Sequence, residues 1–372
     1  MYTEGLHFFI AIDMIPGIGS INAKRLIAYC GGAEAVFKEK KALLLKIPGI
    51  GETLAKEIAH QKVLQRAENE LNFINRYNIA AYSYLDKDYP DRLKACEDGP
   101  VVIFSKGDVN FNEGKVMAIV GTRNATDYGK TMCEQIIEEL VTLGHSPIIV
   151  SGLAFGIDIC AHRIALKKSL KTIAVLGHSL DTIYPSEHKN TAREIVSHGA
   201  LVSDFPSDTK IDRKNFIKRN RIIAGLSDIT LVVESGAKGG ALITADLANS
   251  YNRDVAALPG RTGDKYSEGC NRLIKTNRAA MVESAVDIQE LMQWESNTGV
   301  VKHAVQTNLF TELLPDEKVI TELLDSLDKE SLDALALRAK MPVSKVSAIL
   351  LSLEFAGIVR SLPGKQYCLT RR

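Results

Sequence analysis

The sequence contains no apolar run close to the roughly 20 residues that a membrane-spanning helix requires, so no membrane segment is expected. Its start, Met1 to Gly5, lacks a basic segment followed by an apolar core, and therefore no signal peptide is expected. The formal net charge is only +1. Any nucleic-acid site must therefore be a local patch and not a property of the whole chain.

Cysteine is scarce and scattered along the chain. The 6 cysteines form neither a CxxC pair nor a zinc-binding spacing, which indicates reduced thiols in the cytosol. They stand at Cys30, Cys96, Cys133, Cys160, Cys270 and Cys368. Asp158 and His162 share one helix face, but no third ligand stands nearby. We therefore predict a hydrogen-bonded structural pair there and no metal site.

Three motifs of nucleotide and acyl-transfer chemistry are also absent. The sequence has no GxGxxG loop, no complete Walker loop of the form GxxxxGK[ST] and no GxSxG elbow. Their absence argues against a dehydrogenase, a nucleotidase or a hydrolase. We predict no cofactor and no catalytic group.

The length and composition predict several domains. The chain has 372 residues, 45% of them hydrophobic, which suits two or three domains with buried cores. We place a helical domain at residues 1–78, an α/β domain at 79–296, a polar linker at 297–316 and a small domain at 317–372.

An internal repeat marks the helical domain. Pro16-Gly17-Ile18-Gly19 recurs as Pro48-Gly49-Ile50-Gly51, and each copy precedes a helical pattern. This resembles tandem helix–hairpin–helix motifs, in which glycines permit the turn and helix amides can receive a phosphate. Lys24 and Lys56 stand at matching positions. Contact with DNA and a purely packing or dimerising role both remain open.

Short apolar runs alternate with helical patterns through the middle of the chain. Such runs are typical of parallel strands buried on both faces, and the alternation predicts a Rossmann-like, doubly wound, mostly parallel sheet. Ligands bind such sheets outside the carboxyl ends of the strands. The predicted strands are 116–120, 147–151, 172–176, 201–203, 229–234, 255–258 and 280–283.

The loops at those carboxyl ends are basic and polar. We predict three of them: Gly121-Thr122-Arg123, the segment from Ser151-Gly152 to Asp158, and the segment from Phe216 to Arg221. Lysine and arginine neutralise phosphates, and an aromatic ring offers a stacking surface for an unpaired base. Six basic residues lie between 210 and 221: Lys210, Arg213, Lys214, Lys218, Arg219 and Arg221.

Structural alternatives remain for several of these residues. Arg219 or Arg221 could instead form internal ion pairs with Asp204 or Glu234. The amides of Ser151 and Gly152 could hold an anion at a helix start, where Asp158 is expected as the cap. Lys238-Gly239-Gly240 could admit a phosphate backbone, or could be an ordinary strand-to-helix turn.

The last domain has the pattern of a winged helix, with three helices followed by a hairpin around Pro363-Gly364. Ser331 is expected to cap the second helix. The third predicted helix has a single basic residue, Lys345, whose positive charge is offset by the acidic Glu354. Duplex binding and protein docking are both compatible with that composition.

Many segments resemble the DNA-processing protein A family (DprA, also called Smf). They cover about half of the chain in the family's order. The matching segments are 118–123, 151–158 with Ala161-His162, 172–176, Tyr184-Pro185, Phe216 with 219–227, 242–245, Pro259-Gly260 and 269–274. Ile217, Gly239 and Thr276-Asn277-Arg278 depart from the family's pattern.

The resemblance implies a cytoplasmic bacterial protein that binds single-stranded DNA, dimerises, and helps to load the RecA recombinase during natural transformation. It places the strand-binding pocket at Gly121, Thr122, Arg123, Ser151, Gly152, Phe216, Arg219 and Arg221. Arg213 and Lys214 join them by charge, and Lys238 joins them through the glycine loop that it opens. Two other functions remain open. One is a phosphoribohydrolase-like enzyme that would use Glu234 or Asp158, and the other is a scaffold that binds an acidic protein.

Overall fold

A computed structural model describes residues 5–295, 314–327, 329–362 and 366–369. The chain divides into two compact units, Met1–Gly299 and Val300–Arg372. Most of the predicted linker at 297–316 and the Pro363-Gly364 turn lie outside the described residues.

The first unit opens with six helices. They are α1 (Leu6–Asp13), α2 (Ser20–Cys30), α3 (Ala33–Lys38), α4 (Lys41–Leu44), α5 (Glu52–His60) and α6 (Leu64–Arg76). Each Pro-Gly-Ile-Gly repeat forms the turn between two helices. Gly17 and Gly49 adopt φ values of 79° and 85°, a left-handed conformation that side chains with a Cβ rarely take.

The α/β part follows these helices. Its strands are β1 (Ala80–Ser83), β2 (Val102–Gly107), β3 (Val116–Val120), β4 (Ile148–Ser151), β5 (Thr172–Val175), β6 (Gly199–Ser203), β7 (Ile229–Val232), β8 (Asp254–Ala257) and β9 (Ala280–Met281). Its helices are α7 (Asp91–Lys94), α8 (Asp127–Thr142), α9 (Ile157–Lys167), α10 (Lys189–His198), α11 (Arg213–Leu226), α12 (Gly240–Ser250), α13 (Glu268–Lys275) and α14 (Ala285–Leu291).

The sheet has the order β1-β2-β6-β5-β4-β3-β7-β8-β9. The strands from β3 to β9 run parallel, whereas β2 pairs antiparallel with both β1 and β6. This confirms the predicted doubly wound fold. The chain moves from β3 to one side and then from β7 to the other, so a crevice opens between the carboxyl ends of β3 and β7.

The sheet is buried on both faces, as the continuous apolar runs predict. In β3, Met117 and Ile119 enter one core with α8, α9 and α14, while Ala118 and Val120 enter the opposite core with α11, α12 and α13. Two antiparallel strands, β1 and β2, were not predicted. β1 has only four residues, and β2 pairs with β6, which is about 100 residues further along the chain.

The six N-terminal helices share a third core with the α/β part, so Ile10, Leu26 and Ile74 cluster with Leu176 and Leu201. Polar contacts join the two parts as well. Lys24 Nζ donates to the carbonyls of Cys96 and Glu97, at 3.3 and 3.2 Å. The structure therefore gives Lys24 an internal role, where the repeat had suggested a phosphate contact.

The second unit contains α15 (Pro315–Leu327), β10 (Glu330–Ser331), α16 (Leu332–Ala339), α17 (Val343–Phe355), β11 (Val359–Leu362) and β12 (Gln366–Leu369). Its three strands have the order β10-β12-β11, and the unit is the predicted winged helix. The Ser331 side chain accepts a bond from the Ala334 amide at 3.3 Å, which confirms the predicted cap. Lys345 pairs with Asp316 at 2.6 Å.

Candidate functional site

A cavity of about 380 Å³ lies at the crevice between β3 and β7. It is lined by the loops that follow β3, β4 and β7, by α11, and by the first turns of α9 and α12. These elements meet there because the carboxyl ends of parallel strands share one edge of the sheet. The lining includes Gly121, Thr122, Arg123, Asp158, Arg213, Phe216, Arg219, Asn220, Lys238, Ile243 and Thr244. We call this cavity the switch-point pocket.

The switch-point pocket brings together seven of the residues predicted to bind a strand. They are Gly121, Thr122, Arg123, Arg213, Phe216, Arg219 and Lys238. Four other predicted residues do not line it: Ser151, Gly152, Lys214 and Arg221.

Arg123 is one of two exposed arginines that line the pocket, the other being Arg213. Its side chain is exposed, and its guanidinium carbon lies 5.9 Å from the centre of the Phe216 ring. It forms no ion pair within the described part of the chain. A guanidinium held over an aromatic face keeps its edge free to bind a phosphate through two nitrogens.

Arg219 lines the same pocket but is buried, with only 3% of its surface exposed. Its Nη1 donates to the carbonyl of Gly152 at 2.8 Å and to that of Val175. Burial lowers the pKa of Arg219 to about 10, and the nearby charge of Asp158 opposes that shift. The side chain therefore stays charged at neutral pH. It contributes positive potential to the base of the pocket while bracing two strand ends.

Arg221 does not belong to the pocket, and this corrects the sequence-based assignment. Residues 216–221, predicted as a loop, are helical and lie within α11. Two residues along an α-helix correspond to a rotation of about 200°, so Arg219 and Arg221 point in nearly opposite directions. Arg221 pairs with Asp204 at 2.5 Å and donates to the carbonyl of Asp98. Of the internal ion pairs considered from the sequence, the structure contains the one between Arg221 and Asp204.

Ser151 and Gly152 have internal roles instead of the predicted anion contact. The Ser151 hydroxyl donates to the carbonyl of Ile119 at 2.6 Å. The backbone of Gly152 and Ala154 hydrogen-bonds to the carboxylate of Asp158. Burial raises the pKa of Asp158, against the opposing effects of Arg219 and of these backbone bonds. The Asp158 carboxylate thus accepts the hydrogen bonds of the backbone groups that a bound anion would need.

Lys214 lies on the exposed surface of the first turn of α11, where its backbone amide donates to the Asp212 side chain at 2.7 Å. The turn before α12 has the predicted position, since that helix begins at Gly240 directly after Lys238 and Gly239. Lys238 is exposed at the rim of the pocket.

The remaining candidate acids and bases are engaged in the fold. Glu234 accepts bonds from the backbone and hydroxyl of Thr126, at 2.9 and 2.5 Å. His162 Nδ1 lies 2.7 Å from the Thr172 hydroxyl, and burial lowers the pKa of His162 to about 3. His162 is therefore structural, as predicted, although its bond goes to Thr172 and not to Asp158. The described residues contain no group of three or more potential metal ligands.

Sequence reasoning missed Tyr184 as a neighbour of the pocket. Its ring centre lies 5.8 Å from that of Phe216. Tyr184 stands 32 residues before Phe216, and only the packing of α11 against the β5 end of the sheet brings the two rings together. Asn220, Ile243 and Thr244 were also missed, because their helical positions carry no signal of their own.

A doubly wound sheet with a cationic crevice at its switch point defines a Rossmann-like binding protein. Residues 80–293 match the sequence profile of the family described as DNA recombination-mediator protein A, and residues 311–365 match the DprA winged helix domain. The first match spans more than half of the chain. The protein belongs to the DNA recombination-mediator protein A family.

Individual relatives agree with this assignment. The chain is 32% identical to protein Smf of Synechocystis, over 97% of this chain and 98% of that one. It is 41% identical to DNA processing protein DprA of Bacillus subtilis, over 55% and 68% of the two chains. Within the described residues, no helix combines the length and apolar character needed to cross a membrane.

Two solved structures share the fold. The X-ray structure of DprA from Streptococcus pneumoniae aligns with a TM-score of 0.66 and 30% identity, over 78% of this chain and 98% of that one. DNA processing protein A from Helicobacter pylori aligns with a TM-score of 0.52 and 29% identity, over 58% and 95%. The latter structure is described in terms of a single-stranded DNA binding mode.

Proposed function

We propose that this protein is a recombination mediator that binds single-stranded DNA in the switch-point pocket and has no catalytic activity. The observation that carries the proposal is Arg123, an exposed arginine that forms no ion pair with any described residue and is held over the Phe216 ring at the sheet edge. Such a pair offers one group for a phosphate and another for an unpaired base. Family membership supports the same function.

Three exposed cations surround the pocket and would neutralise the strand's phosphates: Arg123, Arg213 and Lys238. Arg219 adds a fixed positive charge at the base of the pocket. The α12 helix starts beside Lys238, so its first amides can also face a phosphate. Phe216 is half-buried and can stack one base.

Further parts of the proposal follow from the family resemblance. We place the protein in the bacterial cytoplasm, as a homodimer that helps to load the RecA recombinase onto strands during natural transformation or recombination. Two pockets in one dimer would hold a single strand more tightly than one pocket, because the second contact is intramolecular. Co-purification with RecA in the presence and absence of a strand tests this part.

A phosphoribohydrolase-like reaction would need a carboxylate available to the substrate. Asp158 lines the pocket, but backbone groups of Gly152 and Ala154 hold its oxygens beside Arg219. Glu234 is bonded to Thr126. We therefore expect no release of ribose 5-phosphate from nucleoside monophosphates.

The salt dependence of binding tests the proposed function. If three phosphates are neutralised, the logarithm of the association constant should fall against the logarithm of salt concentration with a slope of about −2 for a single strand. Fluorescence anisotropy with a labelled thymidine strand, titrated at several salt concentrations, measures that slope.

A duplex of the same length serves as the control and should bind more weakly, because its bases are not free to stack on Phe216. Equal affinity for strand and duplex, or a flat salt response, would contradict the proposal. Absence of any strand binding would favour the scaffold function, in which the basic pocket receives an acidic protein.

A further inference from the structure

Two exposed aromatic rings stand next to the switch-point pocket without lining it. Tyr184, in the segment between β5 and α10, is 47% exposed, and Phe155, in the loop after β4, is 45% exposed. Single exposed apolar side chains are common on protein surfaces and need no explanation. These two differ because both are fixed by other rings and both adjoin the proposed strand contacts.

Tyr184 is positioned by its neighbours. Its ring centre lies 5.8 Å from that of Phe216, with the planes inclined by 53°. Its backbone amide donates to Nε2 of His178 at 3.3 Å, and that histidine is fully buried. The ring is therefore held at the surface by a rigid support. When a base stacks on it, the protein loses little conformational entropy.

Phe155 is positioned in the same way. Its ring meets the buried His188 ring edge to face, with centres 4.8 Å apart. His188 Nδ1 lies 2.8 Å from the carbonyl oxygen of Leu153, which fixes the histidine against the same loop. The Phe155 ring is thus held at the surface by the buried His188.

The Phe155 loop also lies directly on the backbone that carries Arg123. The Ile157 amide donates to the carbonyl of Thr122 at 3.2 Å. Gly156 has a φ of 79°, and a Cβ at this glycine would come within 2.1 Å of the same carbonyl oxygen. Only glycine allows such a close approach. The loop that carries Phe155 therefore packs on the backbone of Thr122 and Arg123.

We propose that Tyr184 and Phe155 form a stacking shelf that receives two unpaired bases of the strand beyond the switch-point pocket. This inference rests on the proposed function and extends it to a longer stretch of the same ligand. Arg123 is connected to Tyr184 through the Phe216 ring and to the Phe155 loop through the Thr122 carbonyl, and it would neutralise a phosphate of the same strand. Stacking accepts any base, so the shelf would add affinity without a sequence preference.

The shelf is tested with two strands of equal length, one of thymidine and one that is abasic throughout. The abasic strand keeps the phosphates and loses the stacking partners. Tyr184→Ala and Phe155→Ala should each weaken thymidine-strand binding by about 5-fold or more, the usual loss when a stacking ring is removed. Binding of the abasic strand should not change. Tyr184→Phe, which keeps the ring, should bind the thymidine strand as the parent protein does.

Arg123→Ala separates this proposal from the one on which it depends. If Arg123→Ala weakens binding of both strands but the two ring variants bind as the parent does, the shelf is wrong and the pocket stands. If Arg123→Ala has no effect either, the proposed function itself has failed. Equal weakening of both strands by the ring variants would show that the rings shape the pocket instead of stacking bases, and would also overturn the shelf.

A fluorescent variant provides a second test if an alanine variant fails to fold. Tyr184→Trp keeps a stacking ring and adds an exposed indole, whereas the single native tryptophan, Trp294, is only 9% exposed. A base that stacks on the new indole should quench its emission. Quenching by the thymidine strand and not by the abasic strand is expected. Unchanged emission with saturating thymidine strand would reject the shelf.

Discussion

Replacing Arg221 by methionine is expected to lower the free energy of unfolding of the Rossmann-like unit by about 3–5 kcal/mol, the usual cost of breaking one half of a buried ion pair. The Arg221 and Asp204 side chains are only 8% and 2% exposed, and their charged groups are 2.5 Å apart. Burial by itself would lower the pKa of Arg221. The carboxylates of Asp204, Asp98 and Asp13 outweigh it and raise that pKa.

The methionine fills similar space but leaves Asp204 without its main partner. Lys218 Nζ lies 3.8 Å from Asp204, and its half-exposed side chain can compensate only in part. The carbonyl of Asp98 also loses its donor. The large effect therefore comes from uncompensated buried polar groups, and not from the loss of apolar packing.

Urea titration followed by the emission of Trp294 measures this change, since that residue lies in the core formed by α8, α9 and α14. Adding Asp204→Asn to Arg221→Met should recover a large part of the loss, because it removes the unpaired charge. A loss below about 1 kcal/mol, or no recovery in the double variant, would contradict the ion-pair explanation. At temperatures where Arg221→Met is folded, its affinity for a strand should equal that of the parent.

Arg221 also shows where sequence reasoning reaches its limit. The segment from Phe216 to Arg221 is basic and lacks apolar periodicity, so it was predicted to be an exposed loop. In the structure it is helical, and two arginines on opposite sides of α11 enter the interior. A hydrophobic pattern cannot reveal a helix whose buried positions are occupied by charged side chains with distant partners.

The parallel strands were predictable for the opposite reason. Strands such as β3 and β4 are buried on both faces, so they need apolar residues at every position, and this continuous apolar run is visible in the sequence. Their order places Gly121, Thr122 and Arg123 at the switch point, and the pocket follows from that order. Tyr184 could not be placed in the same way, because its position depends on α11 packing beside it.

Replacing Arg123 by alanine is expected to weaken single-strand binding by about 1–3 kcal/mol, or roughly 5- to 150-fold, the range for losing a charge-assisted contact. Arg123 is exposed and forms no ion pair in the described part of the chain, so the fold should be unaffected. Arg123→Lys should restore only part of the affinity, since an ammonium cannot bind a phosphate through two planar nitrogens. Anisotropy titrations at a fixed moderate salt concentration measure both variants.

Arg193→Ala is the matched control. Arg193 is an exposed arginine on α10 that contacts the side chain of Asn190 and does not line the switch-point pocket. Both variants remove one positive charge from the surface, so any loss due to net charge alone is common to the two. Only a direct phosphate contact makes Arg123→Ala the weaker binder. Equal affinities for the two variants would mean that Arg123 acts through the general field of the protein, and would remove the central contact from the proposed binding mode.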